Sequence, residues 1–221
     1  MYDDLIAAGL IGTDEAGKGD YFGPLVCAAC YVDANTLPKL NQLGVKDSKK
    51  LSNGRVLSLA DSIKKLCPYN VVAIGPEKYN QLYTKMKNLN RLLAWSHARA
   101  IENLLGQVDC QNVLTDQFGD ERFIQRSLLE KGKKVNLIQR PKAEMNQAVA
   151  AASILARAGF LTRLERLSAE YGLTLQPGAG DPTDKAIALF IEKHGQEKLP
   201  MVAKVHFKNT RKVLSKIPGI A

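Results

Sequence analysis

The sequence predicts an α/β fold, a mixed β-sheet flanked by helices and followed by a helical C-terminal extension. Three observations carry this. Short apolar runs of strand length dominate the first half of the chain, and apolar residues at helical spacing dominate the second. A length of 221 residues, 45% hydrophobic and 24% charged, supports a sizeable buried core and excludes wholesale disorder. No repeat, low-complexity tract or long linker divides the chain. Residues 1–221 therefore read as one domain, with a sheet-and-helix core over about 1–170 and the extension over about 171–221.

The elements follow in order. An apolar stretch over 5–13 runs into Asp14-Glu15-Ala16-Gly17-Lys18-Gly19-Asp20, a strand ending in a glycine-punctuated turn. A second strand, 25–32, follows Gly23-Pro24, and a polar basic loop covers 45–50. Ser52 N-caps a helix over 53–66, whose Val56, Leu59, Ala60 and Ile63 recur at helical spacing. Residues 69–74 form a third strand. A long helix over 90–105 presents Leu93, Ala94, His97, Ala98, Ile101 and Leu105 along one face. A short strand over 112–115 delivers Asp116; a helix over 121–131 and a strand over 134–138 come next. Residues 143–171 read as helical, small and apolar first, then charged. After the loop 178–182, helices cover 183–194 and 200–214.

Thirty-one Lys and Arg against 22 Asp and Glu leave a net charge of +9, which favours an anionic partner, nucleic acid first among them. No apolar run reaches the roughly 18 residues that a membrane span needs. The first residues lack the cationic start of a signal peptide, so a soluble, cytoplasmic protein is expected. Cys27 and Cys30 sit three apart in a strand and point to opposite faces, so they cannot share a metal or close a redox turn. The four cysteines read as small buried residues. His97, His194 and His206 show no metal-ligand spacing and read as structural or surface residues.

The chemistry lies with the acids. Asp14-Glu15 ends an otherwise apolar strand, where two adjacent carboxylates are costly unless something positive neutralises them. Asp116 stands in the same setting, and acids at the ends of neighbouring strands commonly converge at one rim of a sheet. Glu144 precedes the alanine-rich run 148–156, whose small side chains let a helix pack closely on that sheet. Three or four converging carboxylates make an oxygen-only site suited to Mg²⁺ or Mn²⁺. Beside them, Gly17-Lys18-Gly19 lets backbone amides approach a sugar or phosphate.

Gly12-Thr13-Asp14-Glu15-Ala16-Gly17-Lys18-Gly19-Asp20-Tyr21-Phe22-Gly23-Pro24 closely resembles the opening signature of type 2 ribonucleases H. So do Val45-Lys46-Asp47-Ser48-Lys49-Lys50-Leu51, Leu114-Thr115-Asp116, and Lys142-Ala143-Glu144 with the alanine-rich run. Asp20-Tyr21-Phe22-Gly23-Pro24, Asn88-Leu89-Asn90 with the helix after it, and Ala203-Lys204-Val205-His206-Phe207-Lys208-Asn209-Thr210 resemble ribonuclease HIII rather than HII. The resemblance implies an RNase H-like fold that cuts the RNA strand of RNA–DNA hybrids endonucleolytically. It implies two Mg²⁺ or Mn²⁺ ions per catalytic complex, and 5′-phosphate and 3′-hydroxyl products. Asp14, Glu15, Asp116 and Glu144 would be the catalytic, metal-holding acids. Gly17, Lys18, Gly19, Ser48, Lys49, Lys50, Asn90 and Tyr171 would contact substrate, the glycine turn reading the ribose 2′-hydroxyl. A monomer is expected.

Three features depart from the family pattern. Ribonuclease HIII proteins usually carry an N-terminal substrate-binding domain, whereas this strand begins almost at Met1. Lys18 stands where ribonuclease HII has arginine, and Glu144 where it has aspartate. The alternative enzyme reading is ribonuclease HII-like excision of single ribonucleotides from duplex DNA. A non-catalytic hybrid-binding module is disfavoured, because a pure binder gains nothing from four acids facing phosphates.

Overall fold

The computed structural model describes residues 3–45 and 51–217. The chain divides into two compact units: Met1–Ala16, Val26–Val72 and Asn88–Gly159 in the first, and Gly17–Leu25, Ala73–Lys87 and Phe160–Ala221 in the second. No helix among the described residues is long and apolar enough to cross a membrane.

The first unit is built on a five-stranded mixed sheet, as the sequence predicts. Its strands are β1 (Leu10–Ala16), β2 (Leu25–Val32), β3 (Tyr69–Ile74), β4 (Asn112–Asp116) and β5 (Asn136–Arg140), in the order β3-β2-β1-β4-β5. β1 runs antiparallel to β2 and parallel to β4, which is parallel to β5. β2 is buried on both faces, which suits its unbroken apolar run. Cys27 meets the Ser96 hydroxyl at 2.9 Å, Cys30 lies beside Cys67, and all four cysteines are free thiols.

Helices cover both faces. α3 (Asn53–Leu66) begins where Ser52 accepts a hydrogen bond from the Arg55 N–H at 3.3 Å, and it buries the four predicted apolar residues. α5 (Leu89–Leu105) begins at Asn88, which accepts from the Arg91 N–H at 3.2 Å, and it buries Leu93, His97 and Ile101. α7 (Gln147–Tyr171) lies so close to β1 that a Cβ on Gly12 would fall 2.1 Å from the Ala148 carbonyl carbon. Only glycine permits that approach.

Several boundaries differ from the sequence reading. α1 (Asp3–Ala7) and a turn at Gly9 (φ +88°) take up the front of the predicted first strand. Two helices, α2 (Leu37–Leu43) and α4 (Pro76–Met86), were not predicted; each has proline in its first turn, where the missing N–H is harmless. α6 (Glu121–Ser127) is shorter than expected, and β5 starts two residues later. Residues 143–145 form a 3₁₀ turn instead of the start of α7, entered through Lys142 in the left-handed region (φ 57°).

The second unit holds α4, the end of α7, α8 (Asp181–His194), α9 (Leu199–Val202) and α10 (Lys208–Leu214). The last two replace the single helix expected over 200–214. The chain between them is extended at Ala203, where it bridges Phe22.

Candidate active site

Thr13 and Thr115 are Cα partners on parallel strands, and directly after them come Asp14, two residues before the end of β1, and Asp116, the last residue of β4. Strand alternation then separates the two adjacent acids. Gly12 and Asp14 face α7, where Asp14 takes a hydrogen bond from Ser153. Thr13 and Glu15 face α5, where both meet His97. Asp116 accepts the Ala143 N–H at 3.0 Å, which ties the 3₁₀ turn to β4 and sets Glu144 beside it.

The four carboxylates oppose one another's charge. Burial first, and then Glu15, push Asp14 up to about 7, against hydrogen bonds from Ser153 and the Glu15 N–H at 2.8 Å. Burial first, then the charges of Glu144 and Glu15, raise Asp116 against the N–H groups of Ala143 and Gln117. Oε2 of Glu144 is buried without a hydrogen-bond partner among the described residues. These pairings link all four acids in one unit. Among the described residues no group of three or more His, Cys, Asp or Glu side chains is gathered in a ready-made metal cage. Glu15 is turned to His97 instead, as an acid takes the nearest donor rather than approach other acids.

His97 was missed by the sequence reading. It is fully buried, its Nδ1 is 3.0 Å from the Thr13 hydroxyl, and its Nε2 is 3.1 Å from Glu15 Oε2. Its ring stacks on Phe118, with centroids 4.8 Å apart and 13° between planes. Burial disfavours the charged ring, but Cys27 and Glu15 outweigh it and hold His97 above the usual imidazole range. The signal lay in pairing: Thr13 and Glu15 share a face of β1, and His97, like Ser96, is a polar residue buried on α5.

The other expected residues divide by unit. In the first, the Asn90 side chain lies against the backbone of Gly119, three residues after Asp116. In the second, Gly17 has φ +88°, and a Cβ there would meet the Pro24 carbonyl at 2.1 Å, so this tight turn requires glycine. Gly19 is exposed, and Lys18 partly so. Fully buried Lys204 clamps the chain after this turn, its ammonium donating to the carbonyls of Asp20 at 2.8 Å and Gly23 at 2.7 Å. Burial lowers its pKa to about 7, against the pull of Asp20. Tyr171, at the end of α7, packs against Phe190 and His194. Ser48, Lys49 and Lys50 lie outside the described residues.

A family model described as Ribonuclease HII matches residues 11–210. The chain belongs to the ribonuclease HII family. It is 50% identical over 207 residues to "Ribonuclease HIII" of Protochlamydia amoebophila (strain UWE25), covering 94% of this chain and 69% of that protein. Among solved structures, Bst-RNase HIII in complex with Mn²⁺ superposes with a TM-score of 0.89 at 36% identity, over 96% of this chain and 71% of that one. The ribonuclease H2 from Pyrococcus horikoshii OT3 superposes with a TM-score of 0.81 at 26% identity, over 94% and 98% of the two chains. The RNase H-like fold and the type 2 assignment, with ribonuclease HIII among its relatives, are thereby established, and with them a nuclease of the ribonuclease H kind.

Proposed function

We propose that this ribonuclease hydrolyses the RNA strand of RNA–DNA hybrids at a divalent-metal centre held by Asp14, Glu15, Asp116 and Glu144. The observation that carries the reading is the meeting of four carboxylates from three stretches of the chain, where burial and mutual repulsion raise Asp14 and Asp116 even with His97 nearby. A buried acid raised to about 7 and a buried carboxylate oxygen without a partner are what a cation would relieve. An all-oxygen donor set suits Mg²⁺ or Mn²⁺. When bound, a pair of such ions supplies a water activated for attack and neutralises the leaving 3′-oxygen, giving 5′-phosphate and 3′-hydroxyl ends.

The chain's own residues do the rest. Asp14 and Asp116 present oxygens from strands of the sheet, which organises the site before substrate arrives. Ser153 and the Ala143 N–H fix those carboxylates by hydrogen bonds. The Gly17–Gly19 backbone would read the ribose 2′-hydroxyl, the group that separates RNA from DNA.

Asp14→Asn and Asp116→Asn should each lower hybrid cleavage by at least about a thousandfold while leaving hybrid binding within about threefold. Gel assays of cleavage and a binding titration decide it; near-normal turnover in either variant would remove that acid from the mechanism. The likeness to the Pyrococcus horikoshii ribonuclease H2 supports a second reading, excision of single ribonucleotides embedded in DNA. A duplex with one ribonucleotide, assayed beside a uniform hybrid over a range of Mg²⁺ and Mn²⁺, separates the two.

A further inference from the structure

We propose that His97 is a positioning residue that holds the Glu15 carboxylate in place for the bound cation; this rests on the metal-centre reading above. The argument is geometric. A carboxylate only accepts hydrogen bonds, so His97 Nε2, 3.1 Å from Glu15 Oε2, must carry the proton and donate it. The ring is held on its other edge by the Thr13 hydroxyl at 3.0 Å from Nδ1 and on one face by Phe118. It has no exposed surface through which to swing away. Ring, Thr13 and Glu15 therefore form one rigid unit, with Thr13 and Glu15 on the same face of β1.

The consequence is specific to Glu15. Asp14 and Asp116 are steadied by backbone N–H groups, from Glu15 and Ala143 respectively. Glu15 takes a hydrogen bond from a side chain on another element, His97 of α5. Removing that donor would give Glu15 more rotamer freedom, which would have to be lost again when a cation binds. Outer hydrogen bonds to metal-holding groups typically strengthen metal affinity about tenfold to a hundredfold.

The test compares His97→Phe, which keeps a ring on Phe118 but removes the N–H, with His97→Gln, which retains a donor near the same place. Mn²⁺ affinity is measured by electron paramagnetic resonance without substrate, alongside melting temperature and the separate values of kcat and KM for hybrid. His97→Phe should weaken Mn²⁺ at least about tenfold, with recovery to within about threefold in His97→Gln and little change in KM for hybrid. If His97→Phe melts early, the comparison moves to Thr13→Val, which frees the ring from behind and should also weaken Mn²⁺. Wild-type Mn²⁺ affinity in the folded variants, or losses that merely track melting temperature, would overturn the proposal. Glu15→Gln is the control: if it leaves Mn²⁺ affinity intact, the role of Glu15 in the metal centre fails, whatever His97 does.

Discussion

Asp14 is an acid that the fold desolvates beside another acid. Its pKa of about 7 in the fold against 3.8 in an unperturbed chain fixes the sign of the linkage. Between those values the folded chain keeps a proton that the unfolded chain has lost, so raising the pH through this window destabilises the fold. The penalty is absent below about pH 4 and complete somewhat above pH 7. Metal-free Asp14→Asn should therefore melt close to wild type near pH 4 and several degrees higher near pH 8. The difference there is on the order of 1–3 kcal/mol. Calorimetry across that range checks it, and a gain independent of pH would mean that Asp14 is not strained by its ionisation. Saturating Mn²⁺ should reverse the order near pH 8, since a cation that binds the folded wild type stabilises it by mass action.

At the scale of elements, the site depends on how closely α7 lies on β1. Gly12 sets that distance, because its missing side chain would otherwise occupy the helix backbone at Ala148 and Val149. Gly12→Ala should destabilise the fold by about 3 kcal/mol, or roughly 6–12 °C in melting temperature, since backbone cannot yield as a flexible side chain can. It should also lower cleavage, because Ser153 on that helix steadies Asp14. A variant with wild-type melting and turnover would show that helix and strand can part freely. The strands and long helices were legible in the sequence: Ser52 caps α3, the apolar stripe of α5 is buried, and the apolar run of β2 matches a strand covered on both faces. The helices α2 and α4 were not, since they are short or polar and begin at proline, which weakens the helical pattern in their sequences. Nor was the 3₁₀ turn carrying Glu144, because residues 143–145 continue the helical pattern of α7 and the extended backbone at Asn146 is what separates them from it.

For the molecule as a whole, a net charge of +9 bears on the polyanion that the proposed activity requires. Affinity for a hybrid should fall steeply with salt, with a log–log slope of about −4 or steeper, as expected for five or more neutralised phosphates. Fluorescence anisotropy between about 50 and 300 mM salt measures it; a flat dependence would assign recognition to uncharged contacts. Dividing the chain into units at Ala16 and Gly17, and again within α7, was not visible in composition. No linker marks those points, and the boundary within the helix is a matter of which neighbours each half packs against.

What the sequence alone determined was local in origin: which segments are apolar at a period of two or near four, where glycine is demanded, and which acids end strands. The resemblance carried by those motifs placed the chain among type 2 ribonucleases H and drew four acids into one group. Tertiary structure decided what depends on direction. It set Asp14 and Glu15 on opposite faces of one strand, tied Asp116 to the turn that bears Glu144, and put a buried histidine behind Glu15. Side-chain direction and burial arise only once strand register and helix packing are set, and neither is encoded in any single segment.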